Sequence, residues 1–246
     1  MTLTRLREDV CHANRMLPVL GLVAIHSGNV SGYEPALDRL VIKPSGVDYD
    51  RLTPEMLVEV EVSTGRIVSG ELRPSVDLPH HLHLYRQIPG IRGVVHTHSN
   101  YATAFAALHE PIPLCLTAIA DEFGGEIPCT PYVDNSGDAI GRAVLQHRTQ
   151  APAILLANHG VFAWGPSPRE ALKAAAMTED VAKTVHLARQ IGQPKMLPMD
   201  EAAKWYGRYH TTYGQGMAAQ PQPLRIVDSA ADTGDDSAPL PWGEAA

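Results

Sequence analysis

The stretch Gly93-Val94-Val95-His96-Thr97-His98 joins a short apolar, β-branched run to two histidines spaced two residues apart. β-Branched apolar runs favour buried strands. On a strand, residues i and i+2 point to the same face. His96 and His98 therefore present two imidazoles side by side at the end of a rigid element, a natural way to offer two nitrogens to one metal ion. Two histidines bonded to backbone or water would read the same way if they stood alone. Their company shifts the reading towards a metal. Asp77 lies upstream, and His159 follows a second apolar run, Ala153-Ile154-Leu155-Leu156. Three imidazoles and a carboxylate fit Zn2+, with Mn2+ or Co2+ as alternatives.

Outward from that strand, the pattern is α/β. Residues 3–17 space Leu3, Leu6, Val10, Met16 and Leu17 as an amphipathic helix that Pro18 ends or kinks. Val23-Ala24-Ile25 reads as a short strand running into a loop, Ser27 to Gly32. Leu40 to Lys43 is a second strand, ending in Pro44-Ser45-Gly46. Leu57 to Val62 alternates as a half-exposed strand and turns at Ser63-Thr64-Gly65 towards Ile67-Val68. A helix starts near Pro74-Ser75-Val76-Asp77 and runs to about Gln87, with Asp77 in its first turn or cap. Its His80, His81 and His83 read as structural or solvated rather than as ligands.

Further on, Asn100 to Leu108 is helical and Cys115 to Ile119 reads as a strand with Asp121 at its exit. Asn135-Ser136-Gly137-Asp138 caps a helix to about His147. Ser167-Pro168-Arg169-Glu170 combines an N-cap, Pro at the first position and Glu at the third, a strong helix start. It opens a stripe from Ala171 to Ala188. A last helix covers Met199 to His210.

Composition limits the function classes. The chain has 246 residues, enough for a sizeable α/β core. Its net charge of −7 argues against a general nucleic-acid binder. Five acids and one base, Arg225, put much of that charge beyond Ala219, in a Pro/Ala-rich stretch, 217–246, expected to be a disordered tail after a domain at 1–216. No apolar run approaches the ~18 residues of a membrane span, and the N-terminus has no apolar leader. Cys11, Cys115 and Cys129 show no paired spacing and read as free thiols in a reducing cytoplasm. There is no P-loop and no G-x-G-x-x-G, which argues against an NTPase or a dinucleotide enzyme.

Three Gly/Ser loops, Gly28-Asn29, Ser45-Gly46 and Ser75-Val76, offer backbone N–H groups able to hold phosphate oxygens, and Lys43 adds a positive charge beside the second. Each alone is equally an ordinary turn. Together, near a metal site, they point to a small phosphorylated ligand.

These pieces resemble one family. Gly28-Asn29-Val30-Ser31, Val41 to Val47, Pro74 to Asp77, Val95 to Ser99, Ala120-Asp121-Glu122-Phe123 with Ile127 to Thr130, Asn158 to Gly165, and Tyr213-Gly214-Gln215 occur in the order of the class II aldolase/adducin-head family. Within it they are most similar to the L-ribulose-5-phosphate 4-epimerases. The resemblance implies a three-layer α/β/α sandwich around a mostly antiparallel sheet, and a homotetramer with active sites at subunit interfaces. It implies His96, His98 and His159 as zinc ligands, Asp77 at or beside the metal, and Gly28, Asn29, Lys43, Ser45, Gly46, Ser75 and Val76 around a sugar phosphate. Asp121, and Tyr213 from the neighbouring subunit, would be the acid/base pair.

A metal ion on a ketose oxygen acts as a Lewis acid and permits retro-aldol cleavage. Re-addition from the other face inverts C4, interconverting L-ribulose 5-phosphate and D-xylulose 5-phosphate, whereas an aldolase releases the aldehyde. By the family pattern the aldolases carry Glu where Asp77 stands, so Asp77 with Asp121 favours the epimerase. Two features depart from the epimerase pattern: Val76 replaces a second serine, and the chain from Thr130 to Ala153 is shorter. A non-catalytic adducin-head-like module would have no need of the His triad. Cupin and amidohydrolase sites also use H-x-H, but a long helix at 168–192 contradicts the first and the position of H-x-H in the chain contradicts the second.

Overall fold

Antiparallel pairing places the H-x-H strand near the middle of an eight-stranded sheet. The computed structural model describes residues 2–213. The expected tail at 217–246 and Gly214-Gln215 lie outside them. The helices are α1 (Leu3–Val19), α2 (Leu78–Gln87), α3 (Asn100–Ala107), α4 (Thr117–Phe123), α5 (Ala139–His147), α6 (Pro168–Ile191) and α7 (Met199–Thr211). The strands are β1 (Asn29–Glu34), β2 (Arg39–Ile42), β3 (Val58–Glu61), β4 (Ile67–Ser69), β5 (Gly93–Thr97), β6 (Cys129–Thr130), β7 (Ala153–Leu156) and β8 (Gly160–Gly165).

The sheet order is β4-β3-β2-β1-β5-β8-β7-β6. Every pair is antiparallel except β6 with β7. β5 is fully buried between β1 and β8. Its alternation divides the interior in two. Val95 enters the core built with α1, α3 and α6, and Val94 enters the opposite core with α2 and α5. Helices thus cover both faces, giving the expected three-layer α/β/α sandwich with a mostly antiparallel sheet.

α6 starts where its cap predicts: Ser167 Oγ accepts from Glu170 N at 3.2 Å. The buried stripe on α6 runs through Ala171, Ala174, Ala175, Thr178, Val181, Ala182 and Val185. No described helix is long and apolar enough to cross a membrane. The three cysteines are free.

Three local expectations are corrected. Val23-Ala24-Ile25 is a turn: Ile25 has φ 56°, and Ser27 N and Oγ both donate to the Ala24 carbonyl, which fits no strand. The strand starts instead at Asn29, inside the expected Ser27–Gly32 loop, because residues 29–32 find partners on β5 and residues 31–34 on β2. Cys115–Ile119 is not a strand. Thr117 opens α4, whose buried Ile119, Ala120 and Phe123 have helical spacing, so Asp121 lies within a helix rather than at a strand exit.

Candidate active site

His96 is held on two sides by β8. Its Nδ1–H donates to the Val161 carbonyl at 2.9 Å, and its ring stacks on Phe162 with centroids 4.7 Å apart. That hydrogen bond fixes the tautomer and leaves the Nε2 lone pair facing outward. His98 Nε2 lies 2.9 Å from His96 Nε2. His159 comes from the tight β7–β8 turn, where Asn158 takes a left-handed φ of 59°, a conformation asparagine tolerates. The three rings stand 4.7, 4.9 and 5.1 Å apart, and their ligand nitrogens all lie within 4.8 Å of one another.

Burial pushes the His96 imidazole down to about 4, although Asp77 pulls the other way. Burial also lowers His98 and His159, with the neighbouring His98 adding to the effect at His159. All three are neutral at pH 7. Converging neutral imidazoles are the donor set a divalent ion takes, so these residues fit the metal expected of them.

Asp77 is buried at the start of α2 without capping it. Its carboxylate accepts instead from Asn29 Nδ2 at 2.6 Å and from Ser75 Oγ at 3.3 Å. Burial acts to raise its pKa, but the facing His96 and His81 imidazoles and the Asn29 amide outweigh it and hold the carboxyl below the usual range. Asp77 is outside the three-histidine cluster and lines the same cleft. His81, behind it, bonds Ser31 Oγ at 2.7 Å and is kept neutral by burial, and His83 pairs with Asp138. His80 is buried and bonded to Asn135.

The cleft encloses about 310 Å³. It brings together Gly28, Asn29, Lys43, Ser45, Gly46, Ser75, Val76, Asp77, His96, His98 and His159, although they come from separate stretches of chain. Gly28 has φ 82°, and a Cβ there would meet the His96 carbonyl oxygen at 2.7 Å, so only glycine fits. The Tyr49 hydroxyl donates to the Ser27 and Gly28 carbonyls at 2.8 Å each and fixes that loop. Asn29 Oδ1 is buried without a partner, an acceptor still open inside the site.

Lys43 is 2% exposed, its Nζ donating to the Pro44 carbonyl at 3.3 Å and lying 4.9 Å from the Tyr49 ring centre. Burial brings its ammonium down to about 8, with Asp48 opposing. Val76 is 71% exposed, so its missing hydroxyl is a change at the rim of the cleft.

Asp121 and Tyr213 do not line this cleft. Asp121 is half-buried on α4. Tyr213 follows α7 and stacks on Tyr209 with centroids 5.1 Å apart. The cleft also holds residues that sequence reasoning passes over: His26, Pro44 and Asn135. Asn135 reads as part of a helix cap, but the N-cap is Asp138, whose carboxylate is engaged by His83 and Arg142 instead of capping the helix.

The profile of the Class II Aldolase and Adducin N-terminal domain matches residues 8–186. The chain belongs to this family. Among solved structures, the family member is similar to an L-fuculose 1-phosphate aldolase, at 27% identity over 84% of this chain and 96% of that one, with a TM-score of 0.77. It is similar to YgbL from Klebsiella pneumoniae, for which aldolase, epimerase and decarboxylase are named as candidate activities, at 28% identity over 83% and 99% with a TM-score of 0.74. An L-fuculose-1-phosphate aldolase from Thermus thermophilus matches at 28% identity over 78% and 100%, with a TM-score of 0.63. Class II aldolases use a divalent metal ion, and the His triad is the candidate site for it here.

Proposed function

We propose that this protein is a divalent-metal-dependent enzyme of retro-aldol chemistry on a phosphorylated ketose, and specifically an L-ribulose-5-phosphate 4-epimerase. The observation that carries the reading is the placement of three neutral imidazoles in one cleft with the Gly28-Asn29, Ser45-Gly46 and Ser75-Val76 loops and a buried lysine. Zn2+ held by His96, His98 and His159 would supply Lewis acidity towards the ketose oxygens.

The chain's own groups do the rest. Lys43 and the loops at Gly28-Asn29, Ser45-Gly46 and Ser75-Val76 hold the phosphate. Asp77, fixed by Asn29 and Ser75, would lie at or beside the metal. One acid/base group takes the proton from the C4 hydroxyl as the C3–C4 bond breaks. A second returns a proton to that oxygen when the bond re-forms from the opposite face. Asp121 and Tyr213 are assigned these roles, Tyr213 from the neighbour in a homotetramer, consistent with its exposure and its absence from the lining of its own chain's cleft.

The 27–28% identity to L-fuculose 1-phosphate aldolases over most of the chain favours a second reading, an aldolase that releases the aldehyde fragment. NMR of the products formed from L-ribulose 5-phosphate by zinc-loaded protein separates the two. D-Xylulose 5-phosphate supports the epimerase and glycolaldehyde phosphate the aldolase. Turnover of neither this sugar nor L-fuculose 1-phosphate, with no metal retained, points to a non-catalytic interaction module.

A further inference from the structure

Asn135 enters the cleft from the connection that follows β6. Two of the cradle loops, Gly28-Asn29 and Ser45-Gly46, adjoin β1 and β2, the third, Ser75-Val76, leads into α2, and the histidines come from β5 and the β7–β8 turn in the middle of the sheet order. Asn135 follows β6, the strand at the far end, and still lines the cleft. With its phosphate at the two loops beside β1 and β2 and its oxygens at the histidines, a substrate has its remaining end on the side from which Asn135 enters.

Two histidines one turn apart on α2 hold this connection. His80 Nε2 lies 2.7 Å from Asn135 Oδ1, and His83 Nδ1 lies 3.1 Å from Asp138 Oδ2. Gly141 lets α5 lie this close to α2, since a Cβ there would meet His83 Cβ at 2.9 Å. Ser136 N donates to Asp134 Oδ1 at 2.9 Å and closes the turn beside Asn135.

The His80 tautomer then settles what Asn135 offers. His80 is buried and its Nδ1 has no partner. A proton on Nδ1 would leave an orphaned buried N–H, the costlier defect, so the proton sits on Nε2 and is donated to Asn135 Oδ1. The amide is thereby fixed with its oxygen spent on His80. Its two Nδ2 hydrogens have no acceptor among the described residues.

We propose that Asn135 is a specificity-determining residue that donates to a hydroxyl at the end of the sugar remote from the phosphate, and that His80 is the positioning residue that aims its amide. This rests on the sugar-phosphate reading above. It distinguishes a hydroxylated chain end from a deoxy one, because only the former gives the amide an acceptor.

The test is calorimetric binding to zinc-loaded protein of two unreactive probes: the pentitol phosphate made by reducing L-ribulose 5-phosphate, and its 1-deoxy analogue. Wild type should bind the hydroxylated probe about 10-fold more tightly, the size of one net hydrogen bond. Asn135→Leu, which cannot hydrogen-bond, should erase that ratio. His80→Phe should reduce the ratio to about 3-fold, with melting temperatures showing that each variant is folded. Equal binding of the two probes by wild type, or an unchanged ratio in Asn135→Leu, overturns this inference alone. Failure of wild type to bind either probe overturns the sugar-phosphate reading and this inference with it.

Discussion

His96, Asn29 and Asp77 are buried, and each is tied to another part of the same chain: His96 to β8, and Asn29 and Asp77 to each other across 48 residues. Asp121 and Tyr213 stand differently. One is half-buried on α4. The other is 61% exposed after α7 and has ring neighbours but no contact with the cleft. The groups proposed for binding thus line one cleft, and the two proposed for proton transfer do not. Residues that hold a substrate and a cation need fixed geometry, which a sheet supplies through backbone pairing. Groups proposed to act across an interface would need only a segment that reaches a neighbour.

The sharpest way to break this comparison is to damage the strand-borne half. His96→Ala should remove the metal ion, as elemental analysis would show, and abolish turnover with it. Full metal content in that variant would mean that the triad is not the ligand set.

The helix-borne half should respond differently. Tyr213→Phe and Asp121→Asn should each slow turnover by about 10²–10⁴-fold, the usual size of acid–base catalysis, with metal content unchanged. Mixing inactive His96→Ala and Tyr213→Phe chains should restore part of the activity in hybrid oligomers, because some sites would join an intact triad to a neighbour's intact tyrosine. Verified hybrids without activity would place Tyr213 outside the reaction or within its own chain's site.

The smallest effect concerns Lys43, whose ammonium titrates near 8 because burial disfavours its charge. Phosphate affinity, followed with inorganic phosphate, should fall several-fold as pH rises through 8 and the charge is lost, and Lys43→Met should flatten that profile. Stability runs the other way. Between about 8 and the unfolded value near 10.4, the folded chain binds fewer protons than the unfolded one, so this group's contribution to stability rises with pH. A phosphate affinity independent of pH from about 7 to about 9.5 would remove Lys43 from the cradle.

Much of the strand-borne half is legible in the sequence because its signals are local. Strand periodicity brings His96, on β5, and His98, one residue past its end, to the same site, and Ser167 to Glu170 starts α6 by its own hydrogen bond. What is lost depends on distant partners. Asn29 to Gly32 looks like a loop by its glycines and becomes a strand only through pairing with β5 and β2. Leu116-Thr117-Ala118-Ile119 has a strand-like composition, but its buried positions follow a helix once α7 packs on it. Asn135 carries no motif. Its place in the cleft follows from His80 and His83, far earlier in the chain on α2, and from a glycine at 141 that lets the helices meet.

One register has a consequence for altering the enzyme. Asn29 and His96 are direct partners in the β1–β5 ladder, so the loop beside the proposed phosphate anchor and the first imidazole are joined by backbone alone. The span between them acts as a ruler that no side-chain substitution can lengthen, since changing it requires a strand to slip and every alternate residue to change face. Redesign for a longer or shorter sugar therefore has its freedom at the other end of the ruler, in the 131–138 connection, where the chain can gain or lose residues without moving a single ladder hydrogen bond between β1 and β5.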